Sequence, residues 1–442
     1  MSASRQPALL RPPATVLQIT RDLEAAGFEA WCVGGAVRDA LLGHPHLDWD
    51  LATNATPDQV RSIFGRKRTI PVGIEFGTVK VLDEYKAAHE VTTFRRDVKT
   101  DGRHAEVEFG ASLDEDLSRR DFTVNAMAYS PSRRALHDPF GGQADLEARV
   151  IRAVGDPVLR MREDRLRALR AIRFAGRLDF SIDAPTWDAV RDSAPNLTRL
   201  SAERVQQEIV KTMDQVAAPS RAFGLWREAG ALQVLLPEVA GISDEALHAL
   251  DCAAQPGTGR KPGRRLGRVA LLFSDTTSAK ALEAATRLRF SKQESQWIAG
   301  LVDRWHTVGA SMSEALPRGE PGDETLRRWI AAVGRLHLAA FFRFASARWS
   351  ARRDERRLTE PAPTARAVHS LYRRALRAAL REPVDLRDLA VDGDDLRQLG
   401  IAPGPELGRI LAALLDLVLG DPGLNTRERL LDEARRLHSG GK

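Results

Sequence analysis

The chain has 442 residues, of which 43% are hydrophobic and 29% charged, the balance of a soluble globular protein with room for two to four domains. Two cysteines, Cys32 and Cys252, exclude a disulfide framework and an all-cysteine metal site. The first residues lack the apolar run of a signal peptide, and the most apolar late segment, Ile410 to Leu419, is broken by Asp416, so a cytoplasmic protein is expected. The net charge of +6 is mild but unevenly spread. Arg162, Arg165, Arg167, Arg170, Arg173 and Arg177 fall close together. Arg260, Lys261, Arg264, Arg265 and Arg268 form a second group in a Gly/Pro-rich stretch read as a loop. Such clusters suit phosphate-bearing partners, the plain alternative being solvated faces paired with nearby acids.

The first ~140 residues alternate short strand-like and helix-like pieces. Trp31-Cys32-Val33 is an apolar run stopped by Gly34-Gly35, and Ala36 to Leu42 reads as a helix. Leu47 to Ala52 alternates with period two, a strand signature. Thr56 caps a helix with Pro57 at its first position. Thr78 to Leu82, His89 to Arg95 and Ala105 to Phe109 are strand-like, and Asp97 to His104 reads as a polar connector. After Asp138-Pro139-Phe140-Gly141-Gly142 strand signals vanish, and leucine, alanine and arginine at helical spacing run to the end. Breaks are expected near Ala217-Ala218-Pro219, at 255–268, near 316–322 and near 359–364.

Asp48-Trp49-Asp50 carries the first chemistry. On a strand, alternate residues share a face, so both carboxylates point one way and Trp49 the other. Two oxygen donors on a rigid strand can hold hard cations such as Mg²⁺ together with substrate phosphates. Taken alone, the pair is equally a couple of solvent-facing acids. Upstream, Gly34 and Gly35 sit between a strand and a helix, where backbone amides can approach a polyphosphate and Arg38 can reach the same group. Glu90, opening the run Val91-Thr92-Thr93-Phe94, is a possible third carboxylate at the metals. His44 and His46 are read as loop residues, since histidine is a poor magnesium ligand.

Val33-Gly34-Gly35-Ala36-Val37-Arg38-Asp39-Ala40-Leu41-Leu42-Gly43, followed by Asp48-Trp49-Asp50-Leu51-Ala52-Thr53, resembles the signature of class II tRNA nucleotidyltransferases. These are the CCA-adding enzymes and their relatives, the bacterial poly(A) polymerases. Further blocks follow in the family's order over roughly residues 30–210. Arg119 to Ala126 resembles the block that recognises the ribose 2′-hydroxyl, with Arg120 and Asp121 at its functional positions. Asp138 to Gly142 with Ile151-Arg152 resembles the hinge block. Glu163-Asp164-Arg165-Leu166-Arg167 resembles the base-selecting block, continued by Arg170 and Arg173, and Glu203-Arg204 to Glu208 the last helical block.

The base-selecting block also has a physical reading. If Asp164 and Arg167 share a helix, they are neighbours on one face. A carboxylate only accepts hydrogen bonds and a guanidinium only donates them. Cytosine and adenine each show an exocyclic amino donor beside a ring-nitrogen acceptor, which such a pair complements, whereas uracil and guanine reverse that order. The plain alternative is an intrahelical salt bridge. Arg170 and Arg173, three and six positions further along, would bind triphosphate, support the base pocket, or merely decorate the helix.

Two departures stand out. Many relatives carry a His-Asp metal motif in a later helical domain, and Arg268-Val269-Ala270-Leu271-Leu272-Phe273-Ser274-Asp275 resembles the start of one without that pair. The family's usual proline after Arg103-His104 is Ala105. The resemblance implies an α+β chain. A nucleotidyltransferase head (1–149) with a small mixed sheet, like that of DNA polymerase beta, would precede an all-α neck (150–216), body (217–315) and tail (316–442). It implies Mg²⁺ at Asp48 and Asp50, CTP and ATP as substrates, and the 3′ end of tRNA as acceptor, with no membrane or protein partner. Val72-Gly73-Ile74-Glu75-Phe76-Gly77-Thr78-Val79 is as in CCA-adding relatives, where poly(A) polymerases have an arginine-rich stretch. The full-length connector favours addition of the terminal A, since CC-only enzymes lack it. A-only or CC-only addition, poly(A) synthesis and a non-catalytic RNA-binding role are the alternatives.

Overall fold

The computed structural model describes residues 10–44, 48–100, 105–253, 262–354 and 362–439. It divides into two compact units, residues 1–216 with 224–235, and residues 217–223 with 236–442.

In the first unit, strands β1 (Ala30–Val33), β2 (Asp50–Thr53), β3 (Thr69–Pro71), β4 (Thr78–Leu82), β5 (Ala88–Thr93), β8 (Ala128–Ser130) and β9 (Ala135–His137) form a mixed sheet. Its order is β3-β4-β5-β2-β1-β8-β9. Only β2 and β5 run parallel, pairing Leu51 with Val91 and Thr53 with Thr93; the other neighbours are antiparallel. All four residues of β1 are buried, as the unbroken apolar run Ala30 to Val33 requires of a strand covered on both faces. Trp31, Val33, Ala52, Phe94, Leu113, Leu117 and Ala128 pack together as one core cluster. Helices α1 (Ala14–Ala25), α2 (Gly35–Leu41), α3 (Pro57–Phe64), α4 (Leu113–Ser118) and α5 (Gly142–Ala148) complete the head. Thr56 and Gln59 close a capping box at α3 with Pro57 in its first turn, as read from the sequence.

The connector reading is corrected. Residues 95–100 form a strand, β6 (Arg95–Thr100), paired with β7 (Ala105–Phe109), and only 101–104 lie outside the described residues. Polar residues read as a loop, but the ladder hydrogen bonds of a hairpin satisfy the backbone whatever the side chains. Strand signals do not quite vanish after residue 142 either. β10 (Val150–Ile151) and β11 (Ser181–Ile182) form a short parallel pair.

Helices α6 (Pro157–Glu163), α7 (Leu166–Leu178), α8 (Ala184–Ser193) and α9 (Ala202–Gln215) follow. Alanine, leucine and phenylalanine at three- and four-residue spacing bury one face of α7, from Leu166 to Ala175. Beyond the short helices α10 (Pro219–Glu228) and α11 (Ala231–Leu235), the second unit is helical throughout its described residues. Its main elements are α12 (Asp244–Cys252), α13 (Pro262–Leu272), α14 (Ser278–Arg287), α15 (Lys292–Arg304), α16 (Ala310–Ala315), α17 (Asp323–Val333) and α18 (Leu338–Asp354). Then come α19 (Ala365–Arg381), α20 (Gly393–Gln398), α21 (Pro405–Gly420) and α22 (Arg427–Ser439).

The second basic group is not a loop throughout. Residues 254–261 lie outside the described residues, but Arg264, Arg265 and Arg268 belong to α13, which Pro262 opens. Arg268 is buried rather than presented to a partner. Ser274 and Asp275, where the sequence resemblance suggested a lost His-Asp pair, meet a guanidinium. Buried Arg348 donates to Ser274 Oγ at 3.2 Å and pairs with Asp275 at 3.1 Å and Glu245 at 3.0 Å. No single helix among the described residues is long and apolar enough to cross a membrane.

Candidate active site

A cavity of about 550 Å³ opens in the first unit, and most of the residues singled out in the sequence line it: Gly34, Gly35, Arg38, Asp48, Asp50, Arg120, Asp121, Asp164, Arg167, Arg170 and Arg173. Asn125, Arg177, Arg204, Lys211 and Gln215 line it as well. The sequence placed Asn125 within the ribose-recognising block and Arg204 within the last helical block without assigning either a role, and gave Arg177, Lys211 and Gln215 no place in the site. Their signal was a shared helical face: Arg204, Lys211 and Gln215 recur along α9 at near-helical spacing. Eight cationic side chains face four carboxylates across the cavity, so its field favours a polyanion at every point except the aspartate end.

The aspartate end is built by β2. Asp48 precedes the strand and Asp50 opens it; both are exposed while Trp49 is buried, the alternation expected of extended chain. Because β2 and β5 are parallel with Leu51 beside Val91, Asp50 and Glu90 come side by side one residue earlier. Glu90 is the third residue of β5 rather than its first, because the strand begins at Ala88. It pairs with Lys80 at 3.1 Å on β4 and stands outside the cavity lining. Asp50 reaches solvent, yet its carboxyl is hemmed in by surrounding protein; that partial desolvation, then the charges of Glu90 and Asp48, push it up to about 6, against the pull of Arg120 and Lys80. An Asp50 carboxyl raised in this way, beside two further oxygen donors, fits a hard divalent cation, whose charge would offset the repulsion at Asp50.

The glycine turn lies beside it, following β1, whose last residue Val33 pairs with Asp50. Gly34 has φ +73°, and a Cβ there would stand 2.8 Å from Arg120 Nη1, so only glycine lets the turn approach that guanidinium. Arg38 is buried, donating to Asp39 at 2.7 Å and to Asn125 Oδ1 at 2.5 Å, with its guanidinium 5.2 Å from the Phe174 ring. It is an anchored wall of the cavity rather than a free arm. Arg120 donates to Asp116 at 3.3 Å and to the Asn125 carbonyl at 3.4 Å.

Asp121 is buried. Its Oδ1 accepts from the Phe122 and Asn125 nitrogens at 2.9 Å, and Oδ2 meets Arg170 at 2.6 Å. Burial works to raise its carboxyl, but Arg170 and these donors outweigh it and hold the group below the usual carboxylate range. Arg173 is buried against Glu208 at 2.6 Å and donates to Gln215 at 3.1 Å, tying α7 to α9. Arg170 and Arg173 thus organise the cavity wall, each already engaged by a carboxylate.

Asp164 and Arg167, the residues expected to select the base, line the same cavity but do not share a helix. Asp164 is extended, with φ −147° and ψ 105°, in the break between α6 and α7. Its Oδ1 accepts from the Leu166 amide at 3.0 Å and its Oδ2 from Arg204 on α9 at 2.7 Å. Arg167, in the first turn of α7, pairs with Glu163 at 2.6 Å and donates to the Arg160 and Arg119 carbonyls. Neither the shared helical face nor an Asp164–Arg167 salt bridge is present. A carboxylate offers about four lone pairs and a guanidinium five N–H donors, so each residue keeps capacity for a ligand.

A small mixed sheet that presents carboxylates to a phosphate-attracting cavity defines a nucleotidyltransferase. Residues 30–152 match the family model described as the poly A polymerase head domain. Residues 179–242 match the one described as the probable RNA and SrmB-binding site of polymerase A. The CCA-adding enzyme of Latilactobacillus sakei is 34% identical over 441 residues, covering 96% of this chain and 98% of that protein. That of Streptococcus thermophilus is 33% identical over 430 residues, covering 94% of each. The chain therefore belongs to the CCA-adding enzyme family, whose nucleotidyltransferase head generally works with a divalent metal. A more similar segment of the Streptococcus suis CCA-adding enzyme, 45% identical over 237 residues, spans only 56% of that protein. Among solved structures, the Bacillus stearothermophilus CCA-adding enzyme in complex with CTP aligns at TM-score 0.73 and 30% identity, covering 98% of this chain and all of that one. The Thermotoga maritima enzyme complexed with tRNA shares the fold at TM-score 0.63 and 19% identity, covering 97% and 95%.

Proposed function

We propose that this protein completes the CCA end of tRNA, taking C and A from CTP and ATP without a nucleic-acid template. The observation that carries the reading is the single cavity onto which Asp48, Asp50, Asp164 and Arg167 all open amid a cationic lining. One cavity of this kind can hold the triphosphate, the reacting α-phosphate and the base edge at once.

In this reading Arg120, Arg38 and the Gly34–Gly35 turn receive the triphosphate. Asp121, fixed by Arg170, meets the ribose hydroxyls. Asp164 accepts from the amino group of cytosine or adenine while Arg167 donates to the adjoining ring nitrogen; uracil and guanine place acceptor against acceptor and donor against donor. The 3′-hydroxyl of the bound RNA attacks the α-phosphate, a P–O bond forms, and pyrophosphate leaves with the electrons of the broken one. Asp48 and Asp50, with Glu90 beside them, would hold Mg²⁺, which when bound lowers the hydroxyl pKa and offsets charge on the leaving pyrophosphate. The helices beyond residue 216 hold the tRNA by backbone contacts, and the enzyme works in the cytoplasm.

The test uses purified protein, labelled CTP and ATP, and tRNA lacking all three terminal nucleotides. Extension by three is expected. Arrest after two would make it a CC-adding enzyme, extension only of tRNA already ending in CC an A-adding one, and long A tracts a poly(A) polymerase.

A further inference from the structure

Outside the head, one group of His, Cys and Asp side chains among the described residues stands close enough to share an ion: His248, Cys252 and Asp354. His248 and Cys252 are one turn apart on α12 and project from the same face, which packs on α18, the helix that Asp354 ends. Asp354 Oδ2 lies 3.3 Å from His248 Nε2 and 3.9 Å from Cys252 Sγ, and all three donor atoms fall within 4.8 Å of one another. A tetrahedral ion with bonds of ~2.0–2.3 Å sets its ligand atoms roughly 3.3–3.7 Å apart, so these donors need only small rotamer shifts to converge.

The far side of the imidazole points the same way. His248 Nδ1 faces Asp251 at 3.9 Å, and Asp251 is itself fixed by the Ser220 amide at 2.9 Å and hydroxyl at 2.5 Å. A metal-bound histidine commonly leans on such a carboxylate, which sets its tautomer and ring orientation. Without an ion, an ion pair from His248 and a weak hydrogen bond from the Cys252 thiol share Asp354 Oδ2; the convergence of three metal-ligating groups on one point is what suits an ion. The cluster is distinct from the Arg348 ion pairs, which use Glu245 one turn earlier on α12.

We infer that His248, Cys252 and Asp354 form a zinc site that clips the end of α18 to α12 and leaves a fourth position open. Thiolate with imidazole and carboxylate selects a borderline ion such as Zn²⁺ over Mg²⁺, whose preference is oxygen alone. His248 is 41% and Asp354 62% exposed, so the ion enters from solvent. Cys252 also lines a cavity of about 420 Å³, walled largely by apolar and small side chains such as Phe342, Ala347, Val368 and Tyr372, with Arg343 and Arg353 among them.

The test is zinc chloride titrated into the full chain carrying Asp48→Asn and Asp50→Asn, so that the head contributes no competing site. One ion per chain is expected to bind with micromolar affinity or better, undisturbed by excess magnesium. Cys252→Ser and His248→Ala should each weaken binding about tenfold or more. Cobalt should give a thiolate-to-metal charge-transfer band that Cys252→Ser abolishes. With the aspartates restored, Cys252→Ser should add nucleotides at the parent rate. Failure of the parent to bind zinc, or unchanged affinity in both variants, overturns the site.

Discussion

Asp50→Asn should stabilise the head while ending its activity. Without a cation, Asp50 is the carboxylate the cluster penalises, its carboxyl pushed from the usual 3.8 to about 6 by partial desolvation and by Glu90 and Asp48. A folded state that holds this proton more tightly than the unfolded chain bears no penalty below about pH 3.8. It bears a growing one up to about pH 6 and the full one above. Two units correspond to about 3 kcal/mol, and since the side chain is solvent-exposed, screening reduces this to the order of 1 kcal/mol. Asparagine keeps the shape and removes the charge. In EDTA at about pH 7.5, calorimetry should place the variant's head transition roughly 2–4 °C above the parent's, a gap that closes towards about pH 4. Added magnesium should raise the parent and leave the variant nearly unmoved. Nucleotide incorporation should fall about a thousandfold, equivalent to roughly 4 kcal/mol. A variant that melts at or below the parent in EDTA, or a gap that persists in acid, refutes the repulsion argument; parent-level turnover refutes the catalytic assignment.

Asp164→Ala and Arg167→Ala should raise misincorporation of UTP and GTP relative to CTP and ATP more than they weaken tRNA binding, measured by competing nucleotides on one tRNA; unchanged ratios would remove both from base selection. Glu208→Ala strands the buried Arg173 guanidinium and should cost about 3–5 kcal/mol in denaturant melts, with Glu208→Gln milder. Gly34→Ala adds a Cβ at positive φ, 2.8 Å from Arg120 Nη1, and should raise the KM for both nucleotides by displacing that guanidinium. A KM unchanged from the parent would take Arg120 out of triphosphate binding.

The head was largely legible because its chemistry is local. Gly34-Gly35, Asp48 and Asp50 sit on strand and turn patterns of period two, and burial of Trp49 between exposed neighbours follows from that period. The break at Asp164 was not legible. Arg162 to Leu166 contains no glycine or proline, so propensity runs the helix straight through. Two bonds of the Asp164 carboxylate accompany the break, a local one from the Leu166 amide and a tertiary one from Arg204, 40 residues away, and only the first could be read locally. The roles of Arg170 and Arg173 were hidden for the same reason, since helix spacing places them on a face but not against Asp121 and Glu208. The start of α13 had a readable sign that was passed over: Pro262 fits a first helical turn as well as a loop.

Because Asp164 lies between helices, no helical ladder of its own fixes its carboxylate; that task falls to one short amide contact and to Arg204 on α9. Asp50 instead opens β2, where it pairs with Val33 of β1, and Asp48 just precedes that strand. If Asp164 selects the base as proposed, warming that loosens α9 should free its carboxylate before it disturbs the sheet. Near its upper working temperature the enzyme should go on adding nucleotides briskly while choosing them less well, leaving an organism under heat stress with tRNAs that are extended but wrongly ended.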